Sequence, residues 1–367
     1  MSKLPYHLSG KLHLTGSSRF IADEAPLPGM LYAKFLFSPH AHALLKDLDT
    51  SAAEAYPGVF KVITAKDIPG QNMIGHVIKD EPLFPSEIMY AGQPLAMVLA
   101  EDISIAEHAV SLIKAEYEEL PPVFEVRTAD QNQAWYVPER KIESGDVAKA
   151  LASAEFTLSG TTSSAGQEHF YMETQRARAI PLEDKQIMVL SATQSTMECQ
   201  EVISHVLGLP AHNIIIEVPR LGGAFGGKER AATIWAVMAA LGTYLTKRPV
   251  EVLLSRDEDM KVTGKRHPFR SDWTVGYSST GEISAYELTL LANGGAYADL
   301  SVAILERAMF HAENAYHIPH VRIRGRACRT NLPPNTAYRG FGAPQGIFVI
   351  ESILEQLAAL LNKDILE

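Results

Sequence analysis

Apolar and polar positions follow two rhythms along this chain. Short apolar runs suited to strands fall at residues 30–37, 59–64 and 93–100. A helical stretch at 103–114 opens on Asp102, a good N-cap, and a shorter one at 50–56 follows Asp49 and stops at Pro57 and Gly58. Further strands are predicted at 156–162, 187–192, 213–218 and 249–255. Residues 272–277 and 283–292 alternate like a two-stranded pair turning between Ser278 and Gly281. Helical periods mark 196–207, capped by Thr196 and closed by Gly208 and Pro210, then 229–245. A last helix spans 346–361, with Ile347, Val349, Ile350, Ile353, Leu354, Leu357, Leu360 and Leu361 on its apolar positions. Residues 66–88 read as loop, and 294–346, rich in Gly, Pro and Asn, read as loops packed at a site. Residues 126–146 are polar without a period and read as a linker. The pattern is a βα-rich unit ending near residue 125 and a second domain from about 150, an α+β fold overall.

Composition narrows the classes. A length of 367 residues suits two or three domains, and 46% hydrophobic with 21% charged residues is ordinary globular usage. A net charge of −10 argues against a nucleic-acid partner. Cys199 and Cys328 are far apart and match no metal spacing, which argues against a disulfide scaffold, a zinc site or an iron–sulfur cluster within this chain. The first residues lack the apolar core of a signal peptide, and the most apolar run, 231–245, is short for a membrane span. The expected setting is the cytoplasm, with no membrane. Asn362 and Lys363 suit a helix stop, and Asp364 then suits the cap of another helix, so more protein is expected here, on a partner chain or lost by truncation.

One stretch carries candidate chemistry. Arg220, Leu221, Gly222, Gly223, Ala224, Phe225, Gly226, Gly227, Lys228 and Glu229 lie between the predicted strand 213–218 and the predicted helix 229–245. Glycines let backbone N–H groups approach a ligand, and a helix N-terminus favours an anion. Gly222, Gly227 and Lys228 come within one residue of a phosphate-binding P-loop, but Glu229 stands where that loop needs a Mg²⁺-binding hydroxyl. The stretch also reads as a plain glycine turn with a capping Glu. A second glycine-bearing turn, from Asn331 through Arg339, Gly340, Phe341 and Gly342 to Gln345, sets a cation beside an aromatic ahead of a helix. Arg307, next to Glu306, adds a second arginine, with a surface pair to Glu306 as its plain role. Gln167 to Glu173 includes adjacent Glu168 and His169 but forms no recognised ligand set and reads as structural.

Taken together, these segments resemble the molybdenum-binding subunit of the xanthine dehydrogenase and aldehyde oxidase family. Residues 10–125 are similar to its α/β hammerhead domain, through Pro28-Gly29-Met30, Ser38-Pro39-His40-Ala41-His42, Pro57-Gly58-Val59, Asp67-Ile68-Pro69-Gly70 and Gly92-Gln93-Pro94. Residues 147–367, after a linker at 126–146, resemble the first part of its α+β molybdopterin-binding domain.

The resemblance implies roles. Gln194 matches the glutamine that hydrogen-bonds a molybdenum oxo group, and Phe225 and Gly226 match the loop whose backbone approaches the metal. Arg339, Gly340 and Phe341 match the second cofactor loop, with Phe341 stacking on the substrate ring. Gln194, Phe225 and Arg339 are expected near molybdenum without ligating it. Glu229 matches a substrate-binding glutamate and Arg307 a substrate-orienting arginine, the pair carried by purine-oxidising members. The implied reaction is water-derived hydroxylation of a ring carbon of xanthine or hypoxanthine, with Gln194, Glu229 and Arg307 as the active set. Its electrons pass to iron–sulfur and FAD partners, subunits or domains outside this chain. The second half of the molybdenum domain, which supplies the general base, is expected on a separate chain or lost. Another N-heterocycle, such as a nicotinate-like acid, and a catalytically incomplete assembly or cofactor-handling fragment remain alternatives.

Overall fold

The computed structural model describes residues 7–366. Seven strands form a mixed sheet in the order Ile214–Glu217, Ile187–Ser191, Arg176–Pro181, Val250–Leu253, Leu31–Phe37, Pro94–Ala100, Val59–Ile63. Strands on both sides of the expected linker therefore lie in one sheet. Leu31–Phe37 runs parallel to Val250–Leu253, Leu31 opposite Val250, and antiparallel to Pro94–Ala100. A second sheet orders Arg140–Ser144, His320–Arg329, Ile283–Gly295, Phe269–Tyr277 and Phe156–Ser164. A small third sheet holds Glu87–Ile88, Ala43–Asp49 and Lys114–Glu119.

The cores explain the apolar patterns. Helix Thr233–Thr246 buries Trp235 through Thr243 on every side, because it lies between the seven-stranded sheet and helix Thr196–Leu207. Its Gly242 lets the backbone close on Leu99 and Val250, both 3.2 Å from where a Cβ would stand. This apolar run is a core helix. Helices Ser301–Phe310 and Ala343–Leu361 pack on each other and cover the five-stranded sheet around Trp273, Tyr286, Leu288 and Leu290. Ala343–Leu361 is long and apolar enough to cross a membrane by composition, yet Val349, Ile350, Ile353 and Leu357 sit in this core. A Cβ on Gly346 would stand 2.2 Å from Ala308 O, so only glycine permits this helix contact.

Several expectations need correction. Residues 126–146 contain helix Val126–Gln131 and strand Arg140–Ser144; Arg326 on the neighbouring strand pairs with Asp130 and Glu139, so the polar residues satisfy a sheet edge instead of coating a linker. The region 294–346 holds helix Ser301–Phe310 and strand His320–Arg329. Strands Ala43–Asp49, Lys114–Glu119 and Arg176–Pro181 were not expected. Asp102 caps its helix as expected, accepting from Ser104 N at 2.8 Å, but the helix ends at Ser111. Ser195, not Thr196, is the N-cap of Thr196–Leu207. Asp49 ends a strand, and its carboxylate accepts from the N–H and hydroxyl of Ser51 ahead of the short helix Ser51–Glu54.

Candidate cofactor and substrate site

Ile187–Ser191 and Ile214–Glu217 are parallel neighbours, so the chain leaves both at the same end of the sheet. Ligands in such sheets gather beyond the carboxyl ends of the strands. Gln194 follows the first strand and the glycine stretch follows the second. They meet directly: Gln194 Oε1 accepts from the N–H of Gly226 at 3.0 Å and of Lys228 at 3.4 Å, and Gln194 N donates to Lys228 O at 2.8 Å. Gln194 is exposed, and among the described residues its Nε2 has no protein acceptor.

The second turn crosses the first. Arg339 N donates to Phe225 O at 2.8 Å. Gly226 adopts φ +103°, and a Cβ there would lie 2.6 Å from Ala337 O, so the crossing requires glycine. Phe225 and Phe341 are both held in left-handed conformations, at φ +54° and +51°. Non-glycine residues adopt these only when their surroundings impose them, and such strain gathers at functional sites. Phe225 is half-exposed, whereas Phe341 leans on the core under the five-stranded sheet. Arg339 is exposed, and among the described residues it forms no ion pair.

Beneath the first turn lies a floor that sequence reasoning set aside. His169, Tyr171, Glu173 and Gln175 come from an irregular segment, bent at Phe170 (φ +50°), that brings all four side chains against the glycine turn. His169 Nε2 donates to Ala337 O at 2.7 Å, and its ring lies 2.6 Å from where a Cβ on Gly227 would stand. Glu173 Oε2 accepts from Gly222 N at 2.9 Å and from Lys228 Nζ at 3.0 Å. Gln175 Nε2 donates to Gly227 O at 2.9 Å, and Asp259 takes the Tyr171 hydroxyl at 2.8 Å. Lys228 is fully buried over the Tyr171 ring, and burial lowers its pKa against the pull of Glu173. Buried and paired with Glu173, its ammonium is closed to a phosphate, which argues against the P-loop reading.

Glu229 and Arg307 flank this centre differently. The helix after the glycines starts at Thr233, not at 229, so Glu229 stands in the turn, half-buried, and burial raises its carboxyl above the usual range. Arg307 projects from helix Ser301–Phe310 into solvent. Its expected partner Glu306 instead pairs with Arg140 at 2.8 Å, and among the described residues Arg307 forms no ion pair.

The exposed donors suit an oxyanion-bearing group: Gln194 Nε2 and the Arg339 guanidinium. Among the described residues no cluster of three or more His, Cys, Asp or Glu could hold a metal directly. A metal here would arrive with ligands of its own, and the loop chemistry fits an organic carrier rich in oxygen acceptors.

Residues 127–367 match the molybdopterin cofactor-binding domain, and residues 15–121 match the aldehyde oxidase and xanthine dehydrogenase a/b hammerhead domain. The chain belongs to the xanthine dehydrogenase and aldehyde oxidase family. It is 39% identical over 362 residues to xanthine dehydrogenase 1 of Arabidopsis thaliana, covering 97% of this chain and 27% of that protein. It is 40% identical to mouse xanthine dehydrogenase/oxidase, covering 96% of this chain and 26% of that one. The chain thus spans about a quarter of the length of these relatives. Among solved structures, aldehyde oxidoreductase from Desulfovibrio gigas superposes with a TM-score of 0.88 at 28% identity, over 98% of this chain and 42% of that one. Quinoline 2-oxidoreductase from Pseudomonas putida 86 gives 0.87 at 27%, over 98% and 48%. The hammerhead-then-molybdopterin architecture expected from sequence is the family's own.

Proposed function

We propose that this chain contributes the first part of the molybdenum site of a hydroxylase acting on a purine of the xanthine or hypoxanthine class. The observation that carries the reading is the combination of half-buried Glu229 with Arg307, an exposed guanidinium free of ion pairs among the described residues, on segments flanking the crossed glycine turns. Purines are flat and offer both ring N–H groups and carbonyls. Glu229, held toward its protonated form by burial, can exchange a hydrogen bond with a ring nitrogen or hydroxyl. Arg307 can donate to a carbonyl on which negative charge grows in the transition state. Phe225 and Phe341 offer apolar faces, and Phe341 is the one suited to stack on the ring. Gln194 and Arg339, with Gly226 and Gly340, would hold the molybdopterin–molybdenum group. That group, when bound, supplies the two-electron oxidation.

The relatives named xanthine dehydrogenases support the purine choice. Iron–sulfur and FAD partners and the second half of the molybdenum domain belong to the same proposal, as does a cytoplasmic setting. An unpaired guanidinium also suits a carboxylate, so a nicotinate-like acid is the second reading.

The test is Arg307→Met in the assembled enzyme. We expect kcat for xanthine to fall on the order of 10²-fold, the usual loss for one preorganised donor. Unchanged kinetics, or turnover confined to heteroaromatic acids, would remove the purine assignment.

A further inference from the structure

Every segment that carries a candidate site residue is tied to one buried side chain that none of the assignments above includes. Arg230 follows Glu229 directly and is 5% exposed. Its Nη1 lies 3.3 Å from Glu198 Oε1, on the helix that follows Gln194. Its Nε lies 3.7 Å from Asp299 Oδ2. Its Nη2 donates to Ile74 O at 3.1 Å, in the hammerhead region. Asp299 in turn accepts from Leu300 N at 2.6 Å, at the start of the helix bearing Arg307, and from Thr336 Oγ1 at 2.8 Å, in the turn leading to Arg339. Asp299 itself is held at φ +43°.

We infer that Arg230 is a positioning residue, whose guanidinium fixes Glu229 relative to Gln194, Arg307 and Arg339. This inference rests on the reading of Glu229 and Arg307 as substrate contacts. The physical argument is one of reach and rigidity. Glu229 lies in a turn with no helical hydrogen bond of its own; its N–H donates to Gly226 O within the same turn, at 3.2 Å. Its carboxyl position is then set by the backbone of residue 230, and that backbone is set by a buried fork joined to separate segments. Only Nη2 makes a hydrogen bond, to Ile74 O; Nε and Nη1 hold Asp299 and Glu198 by charge, and a lysine ammonium cannot serve all three directions at once. The setting is apolar on the other side, where Ile74, Trp235 and Val262 line the same cavity as Arg230, Asp299 and Glu81. Removing the fork leaves Glu198 and Asp299 buried without their cation, so the segments separate.

The experiment compares Arg230→Met, Arg230→Lys, Glu229→Gln and the double variant Arg230→Met/Glu229→Gln in the complete holoenzyme. Two readouts are taken: xanthine kinetics and amide hydrogen exchange. We expect Arg230→Met to raise KM and lower kcat/KM tenfold or more. The double variant should be no worse than Glu229→Gln, because both act through one carboxylate. Arg230→Lys should recover only part of the loss. Exchange should quicken in 224–232 and 296–302 and stay unchanged in the five-stranded sheet. Multiplying effects in the double variant, or wild-type exchange in both segments, would overturn the inference. Should Arg230→Met fail to fold, Glu198→Gln removes one arm of the fork and is read the same way. A wild-type enzyme inactive on xanthine would defeat the purine reading alone, and the exchange arm would still decide the role of Arg230.

Discussion

Arg339 N donates to Phe225 O at 2.8 Å, and this one bond welds two turns that lie more than a hundred residues apart in the chain. Neither turn can move without the other, because Gly226 sits against Ala337 O and Tyr338 Cα with no room for a side chain.

Gly226→Ala is therefore expected to push the turns apart. The added strain at φ +103° and the contact with Ala337 O should cost about 1–3 kcal/mol. Thermal unfolding should report that loss, and elemental analysis of the assembled protein should show molybdenum well below stoichiometric. A variant that keeps both its melting temperature and its metal would contradict the crossed-turn account.

Lys228 and Glu173 form a buried pair at 3.0 Å. Breaking it from one side, as in Lys228→Met, leaves Glu173 uncompensated and should destabilise by about 3–5 kcal/mol. Lys228→Met with Glu173→Leu should recover much of this, since an apolar replacement of both partners is often neutral. Calorimetry with Mg·ATP should show no binding to the wild type; micromolar affinity would restore a phosphate role to Lys228.

The carboxyls around Arg230 make stability depend on pH. Burial raises Glu81 to about 8, Glu198 to about 7 and Asp299 to about 6, against ordinary values of 4.5, 4.5 and 3.8. Between pH 4.5 and 8 the unfolded chain gives up the Glu81 proton while the folded chain keeps it. The unfolded state binds fewer protons there, so stability falls as pH rises. Glu81→Gln should flatten the fall of the denaturation midpoint over that window. An unchanged slope would show that Glu81 ionises freely in the folded protein.

Gly346→Val tests the helix contact behind Arg307. Its side chain would meet Ala308 O, and overpacking of this kind costs about 1–3 kcal/mol. The helix carrying Arg307 should shift, so KM for substrate is expected to rise along with the loss in melting temperature. A change in melting temperature alone would separate Arg307 from this contact.

Much of this is legible in the amino-acid sequence. The strands near 31–37 and 94–100, the core helix near 233–246 and the hairpin turning at Ser278 to Gly281 follow from period and turn chemistry alone, within a few residues. Lys114–Glu119 and Arg140–Ser144 were missed because edge strands are mostly charged: Ala115 and Tyr117 are the apolar residues of the first, whose burial still alternates, and Ile142 is that of the second. Helix Ser301–Phe310 was hidden among glycines and prolines that bracket it on both sides. At the site, glycine placement pointed to both turns, and motif resemblance supplied candidate roles for Gln194, Glu229 and Arg307. Glu173 and Arg230 were not legible, because a buried charge is recognisable only once its partners are in place. The start of the helix at Thr233 was also misread: Glu229 resembles a capping residue, but the turn runs on through Arg230 before the helix begins.

The shared sheet bears on how the chain is made. Leu31 finds its partner Val250 only 219 positions later. A ribosome adding about 5–20 residues each second needs roughly 10–40 s to cover that distance. Through that interval the edge of Leu31–Phe37 facing Val250–Leu253 has open N–H and C=O groups on an apolar strand, a template for wrong pairing. Nascent chains stalled before residue 250 should therefore be chaperone clients and aggregate when released, while chains past that point should not.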